Sequence, residues 1–281
     1  MSAPIKILSY GGGLDSFAML LDAIARGEKP ALAVFADVGD PEGKDPGEWP
    51  GTYKHIREVV MPLCAAHGIE FVWIDTRQLP IRGERSLFAY FENMKLMPGR
   101  MSRLCTSAAK VERIADYLNA RFPGVRLEVW IGFEAGEEKR ADRDPHAAGR
   151  GKGLRTNRFP LAERGLCRCR CEALVRASGH PVPRKSACVY CPFGTRGDFQ
   201  TFARELPEHF ARTEALEANC RSTKSGRRVL FSGSATNART LRDWAERPYT
   251  PRAMGCPVCG AETRATKATA CGYLDDAPGA A

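Results

Sequence analysis

Ile5-Lys6-Ile7-Leu8-Ser9-Tyr10-Gly11-Gly12-Gly13-Leu14-Asp15-Ser16 is the stretch that decides the fold of this chain. A short apolar run ends in three glycines, and an apolar-periodic helix from about Asp15 to Arg26 follows, stopped by Gly27. The same alternation continues outward. Ala31 to Ala36 reads as a second strand, Tyr53 to His67 as a helix, Ile69 to Ile74 as a third strand, Ser107 to Ala120 as a helix and Leu127 to Ile131 as a strand. Strands that alternate with helices build βαβ units. The fold class expected is therefore α/β: a doubly wound sheet of about five parallel strands, with a cysteine-rich C-terminal extension. Such sheets bind ligands at the carboxyl ends of their strands, near the point where the strand order reverses.

Beyond that core the pattern loosens. From Gly132 to about Arg158 the chain is polar, basic and Gly-rich, with ten Lys and Arg against four Asp and Glu between Lys139 and Glu172. It reads as a loop over an active site or as a solvated linker. A short helix over Glu172 to Ser178, a turn at Gly179-His180-Pro181 and a helix over Phe199 to Cys220 follow. Three units are expected: a nucleotide-binding domain over 1–160, a cysteine-rich helical extension over 161–247 that completes the active site, and a small cysteine-containing tail over 248–281.

The 281 residues are 43% apolar and 27% charged, which excludes general disorder. No stretch approaches the ~18 apolar residues of a membrane span, and the opening residues lack the apolar run of a secretion signal. A cytoplasmic enzyme with no membrane partner is expected. The net charge of +9 favours anionic partners such as nucleic acid or nucleotides. The 11 cysteines, without a secretion signal, read as metal ligands or catalytic thiols rather than disulfides.

Glycines between a strand and a helix let backbone N–H groups close on an anion, and the helix N-terminus and Ser16 add further donors. The loop is thus a phosphate cradle, without the Gly-Lys-Ser/Thr ending of a Walker loop or the spacing of a dinucleotide fingerprint. Gly-Gly-x-Asp-Ser after the first strand resembles the PP-loop of the ATP pyrophosphatases, the adenine nucleotide alpha hydrolase-like superfamily. Gly11 stands where that loop usually has Ser, and Ser9 lies two residues earlier. This form looks more like the branch of the phosphoadenosine-phosphosulfate (PAPS) reductases and the DNA-phosphorothioation sulfurtransferases. Phe35-Ala36-Asp37-Val38-Gly39, Arg103-Leu104-Cys105-Thr106 with Lys110, and Ile131-Gly132-Phe133-Glu134 leading to Arg140 resemble further motifs of that branch. So do Asn157-Arg158-Phe159-Pro160-Leu161 and the segment from Pro183 to Phe193.

The resemblance implies attack by a substrate oxygen on the α-phosphate of ATP, giving an adenylated intermediate and pyrophosphate, with Mg²⁺ offsetting charge. Ser9, Gly11, Gly12, Gly13, Asp15 and Ser16 would hold ATP, and Asp37 would contact the adenosine. Lys110 and Arg140 would be cations for the phosphates, with Asp15 beside them in catalysis. The expected acceptor is a nucleic acid (tRNA or DNA) or a nucleoside, thiolated with the help of a sulfur-donor protein. A sulfonucleotide reductase and a non-catalytic nucleotide-sensing or nucleic-acid-binding module are the alternatives. The chain lacks the Glu-Cys-Gly-Leu-His tail usual in the reductases.

Cys188 and Cys191 form a CxxC, which supplies two of the four ligands that a closed site needs. The resemblance nominates Cys105 and Cys171 as the others and a 4Fe-4S cluster as the centre. Zinc suits the same thiolates, and either Cys167 or Cys169 could replace Cys171. Cys256-Pro257-Val258-Cys259-Gly260 looks like a zinc knuckle, with Cys271 as third ligand and a fourth from Cys220, a histidine or a partner. The five histidines are scattered and match no catalytic spacing.

Overall fold

The computed structural model describes residues 3–99, 104–144, 146–147, 153–222, 240–248, 250, 253–260 and 262–264. Five parallel strands lie in the order β3-β2-β1-β4-β5, with β1 Ile5–Ser9, β2 Leu32–Ala36, β3 Glu70–Ile74, β4 Leu127–Ile131 and β5 Arg155–Arg158. Every residue of β2 is buried, as an inner strand covered on both faces must be, and this is why it reads as an unbroken apolar run. The order reverses between β1 and β4, where the glycines following β1 come out of the sheet.

The expected α/β class and the parallel sheet are present. The fifth strand, however, lies inside the segment read as a loop. Arg-Thr-Asn-Arg carries no apolar alternation because β5 is an edge strand; among its residues only Asn157 is buried, and its amide donates to the Asp144 carboxylate at 3.0 and 3.1 Å. A short helix, α7 Glu138–Ala141, also lies in that segment.

Helix α1 Leu14–Ala25 buries Leu14, Phe17, Ala18, Leu20 and Leu21 against the sheet. The helix expected over Tyr53 to His67 comprises α2 Pro50–His55, a π-helical turn over Ile56–Val60 and α3 Met61–Ala66. Pro62 has no N–H to return to the preceding turn, so a widened turn fits before it. Further along come α4 Leu87–Asn93, α5 Leu104–Thr106, a π-helical stretch over Ser107–Glu112 and α6 Arg113–Arg121.

After β5 and α8 Pro160–Glu163, helix α9 Arg168–Ala177 packs along α1. It begins four residues before the helix expected there. The helix expected over Phe199 to Cys220 is two, α10 Arg196–Glu205 and α11 Pro207–Arg221. Pro207 excludes helical ψ at Leu206, which sits at φ −133°, ψ 58°. These two helices, with α4 and α12 Leu241–Glu246, enclose a second core around Phe88, Tyr190, Phe199 and Phe210. Two short antiparallel strands, β6 Ala253–Gly255 and β7 Glu262–Arg264, close the described chain. Among the described residues no helix is long and apolar enough to cross a membrane.

Candidate functional site

The glycine loop is closed in on three sides. Gly12 has φ +78°, and a Cβ there would come 2.7 Å from Thr52 Cγ2 and 3.2 Å from Ser186 Oγ. On Gly13 a Cβ would meet the Ser186 backbone N at 3.4 Å. From across the switch point, a Cβ on Gly132 would lie 3.2 Å from the backbone N of Ser16. Gly11 is exposed, and a Cβ there would meet only Ser16 Oγ, at 3.9 Å. Ser9 is half-buried at the end of β1, and the Ser16 hydroxyl donates to Gly13 O at 3.0 Å. Asp15, in the first turn of α1, has Oδ1 at 3.5 Å from Arg168 Nη1. The loop therefore presents an open edge beside an α-helix N-terminus, at the crevice where doubly wound sheets bind ligands.

Asp37 follows β2 and is held from three sides. Tyr53 Oη donates to Oδ1 at 2.7 Å, Gly39 N–H to Oδ1 at 2.9 Å and Trp73 Nε1 to Oδ2 at 3.1 Å. Tyr53 stacks on Trp73 at 5.6 Å between centroids. Burial, and then the Asp37 charge, hold the Tyr53 phenol protonated well above its ordinary range. Asp37, Tyr53, Trp73, Asp75 and Arg57 line a cavity of about 310 Å³ at the carboxyl ends of β2 and β3. A larger cavity, about 570 Å³, lies between Trp49, Thr52, His55, Pro183, Arg184 and Leu206. Thr52 borders both this cavity and the glycine loop.

Lys110 is engaged by a residue that sequence reasoning missed. Its Nζ lies 2.6 Å from Oε1 of Glu48, a carboxylate with no solvent exposure, while Ser186 Oγ donates to Glu48 Oε2 at 3.1 Å. Burial opposes the Lys110 charge, but Glu48 and the Cys188 and Cys191 thiols outweigh it and hold the ammonium above its ordinary range. Glu48 arrives by backbone pairing: Trp49 N–H donates to Ala187 O and Val189 N–H to Gly47 O, both at 3.1 Å. Nothing in the spacing of Glu48-Trp49-Pro50 marks it, because its partners lie 62 and 138 residues away. Arg140 sits on α7, where it pairs with Glu137 at 2.6 Å and lies 4.3 Å above the Phe133 ring.

The thiols fall into two groups that differ from the expected ones. Cys105, Cys188 and Cys191 share one neighbourhood with Lys110 and Glu48, and burial pushes the Cys188 and Cys191 thiols up. Cys171 does not join them. It is buried in the α1–α9 core, its sulfur 3.9 Å from Leu166 O, and its charged neighbours are Asp15, Glu134 and Arg168. One turn along α9 from Cys167, it faces α1 rather than the CxxC. The expected quartet of Cys105, Cys171, Cys188 and Cys191 is thus divided between two places.

Instead, Cys167 and Cys169 meet Cys256 and Cys259, with all four sulfurs within 4.8 Å of one another. These four cysteines form a site that could hold a metal ion or cluster. Cys220, one candidate for the fourth ligand of the knuckle, is buried in the helical core; Cys271 and Arg103 lie outside the described residues.

Several of the basic residues after Lys139 are paired: Arg158 with Glu163, Arg164 with Asp22 and Arg168 with Asp15. Glu163 belongs to the segment itself, whereas Asp22 and Asp15 lie outside it and offset two of its six excess positive charges. No family model matches this chain, and no curated protein matches it.

Proposed function

We propose that this chain is an ATP-using enzyme of the PP-loop type, which adenylates a nucleic acid or nucleoside acceptor ahead of sulfur transfer. The observation that carries the reading is the glycine loop. It lies at the switch point of a β3-β2-β1-β4-β5 sheet, hemmed by Thr52, Ser186 and Gly132, and leads into the N-terminus of α1. That arrangement suits a polyphosphate, whose charge the helix terminus and loop N–H groups would offset.

The cavity beside Asp37, walled by Tyr53 and Trp73, fits a nucleoside that stacks and hydrogen-bonds. In the adenylation, an acceptor oxygen would form a bond to the α-phosphorus while the bond to the bridging oxygen breaks and pyrophosphate leaves. Asp15 and Ser16 fit the placing of Mg²⁺ or phosphate oxygens. Ser186 would couple the loop to Glu48 and Lys110, so that Ser186 and Glu48 stand between Lys110 and the phosphates.

The three thiols of Cys105, Cys188 and Cys191 offer soft ligands on the far side of that relay. Thiolates of this kind suit an iron–sulfur centre or zinc, and an iron–sulfur centre would supply sulfur chemistry when bound. This chain's own contribution there is the buried Glu48 and the charged Lys110 that face the thiols.

Titration calorimetry with ATP and Mg²⁺ tests the reading, together with pyrophosphate release in the presence of mixed tRNA or DNA. Replacing Gly12 by Val or Asp15 by Ala should weaken ATP binding at least tenfold. Equal affinity in all three proteins would remove the assignment. Binding of ATP without pyrophosphate release would favour a nucleotide-sensing module. Retention on nucleic acid should fall with salt, with a log–log slope of roughly 0.7–0.9 per phosphate contact.

A further inference from the structure

Cys167 and Cys169 stand at the N-terminal end of α9, Cys167 as its N-cap, while Cys256 and Cys259 lie on the turn between β6 and β7. No sequence spacing joins the two pairs, yet their four sulfurs come within 4.8 Å of one another. We propose that these four cysteines hold one structural zinc ion, which fastens the β6–β7 hairpin to the N-terminal end of α9.

The geometry favours a single ion. Zn–S bonds of about 2.3 Å in a tetrahedron place the sulfurs about 3.8 Å apart, within the observed spread. A four-iron cluster has its thiolates outside a cube of metal and sulfide, and so holds them further from one another. The turn is shaped for a thiolate before any metal arrives. The N–H groups of Cys259 and Val258 donate to the Cys256 sulfur, and Gly260 at φ +72° returns its N–H to Cys256 O at 2.9 Å. Cys167, Cys169 and Cys256 pack with Ala135, and Val258 Cγ2 lies 3.3 Å from where a Cβ on Gly136 would stand.

The hairpin needs such a fastener. Two strands of three residues each do not hold together alone in water. Beside the thiol cluster, the knuckle touches the sheet domain at Ala135 and Gly136. A metal that binds only the assembled set contributes its binding free energy to folding. The same centre has a consequence for the crevice: Arg168 stands between two ligands and reaches Asp15 at 3.5 Å. The inference does not depend on the nucleotide reading, because metal content is measured without ATP.

Elemental analysis of protein purified without chelator, followed by cobalt exchange, tests it. One zinc per chain is expected at this site, with cobalt giving the visible bands of a tetrahedral tetrathiolate. Cys259 is exposed, so Cys259→Ser should fold while losing that zinc equivalent and the cobalt bands. Cys167→Ser, at a buried position, should do the same with a larger fall in melting temperature. Cys188→Ser should keep both signals. Zinc and cobalt bands retained in Cys259→Ser would overturn the assignment. So would failure of the native protein to take up zinc, or disulfides among these four residues after thiol blocking under anaerobic conditions.

Discussion

Nζ of Lys110 lies 2.6 Å from Oε1 of Glu48, and the same carboxylate accepts from Ser186 at 3.1 Å through its other oxygen. One buried acid thereby links the helix that follows Cys105, the segment that carries the CxxC and the wall of the glycine loop. Replacing Glu48 by Gln leaves the ammonium without its counter-charge. Because Lys110 keeps about 31% of its side chain in solvent, the loss should fall below that of a fully buried broken pair, at about 2 kcal/mol. Urea unfolding of Glu48→Gln, Lys110→Met and the double variant measures it. The double variant should cost less than the two singles together; strict additivity would mean that the two groups do not interact.

Gly12 and Gly132 exclude side chains for different reasons. Gly12 has positive φ and a backbone-proximal neighbour, Thr52, at 2.7 Å from any Cβ. Gly132 lacks the positive φ but faces the α1 backbone at 3.2 Å. Gly12→Ala should destabilise by about 1–3 kcal/mol, since the left-handed conformation and the clash both count. Adding Thr52→Ser to Gly12→Ala removes the Cγ2 and should recover part of that loss. No recovery in thermal melts would show that the Thr52 methyl adds nothing to the cost, leaving it to backbone strain and the Ser186 contact.

Asp45 is fully buried and accepts from Arg85 at 2.9 Å, Arg212 at 2.9 Å and Ser86 at 2.7 Å. Burial raises its carboxyl, but the Arg85, Ser86 and Arg212 hydrogen bonds together prevail and set it below the ordinary value of 3.8. A folded value below the unfolded one gives stability that is complete above pH 3.8 and lost as pH falls through the folded value. Asp45→Asn should therefore cost about 2 kcal/mol at neutral pH, discounted for the exposure of both arginines. The gap to the native protein should narrow below pH 3.8. An equal gap at pH 7 and pH 3, by guanidinium unfolding, would contradict the ion-pair account.

The readable parts of this chain are those that bury apolar side chains on a regular period. β1, β2 and β4 are inner strands with covered faces, and their runs stand out. β5 stays hidden because Arg155, Thr156 and Arg158 need no burial at an edge. The break at Leu206-Pro207 follows from a proline whose meaning is local and could be read. The thiol pairing could not be read. Cys167, Cys169 and Cys171 share one short segment, and which of them meets Cys256 depends on how α9 rolls against α1. That is a tertiary choice, fixed by Cys171 and Val175 entering the α1 core. Glu48 escaped for the same reason, since its partners come from two distant segments.

His55 is 1% exposed at the end of α2, edge-on to Phe17 at 4.7 Å, and Phe17 also meets the His180 ring at 5.7 Å. Burial, with the nearby His180 adding to it, pushes the His55 imidazole down from 6.5 to about 4. In the unfolded chain the same group takes its proton near 6.5, so between these values the unfolded state binds more protons. Stability from this site is then complete above about pH 6.5 and is lost as the pH falls toward 4. At 1.36 kcal/mol per pKa unit the full effect amounts to roughly 3 kcal/mol. His55→Leu keeps an apolar contact with Phe17 and removes the titration. Unfolding free energies measured from pH 7 to pH 4.5 should show the native protein losing about 2 kcal/mol more than the Leu variant. The difference should open only below pH 6.5, because above it His55 is neutral in both states. Parallel profiles for the two proteins over that range would mean that His55 accepts its proton in the folded state as readily as in water, and that α2 or Phe17 moves to admit solvent.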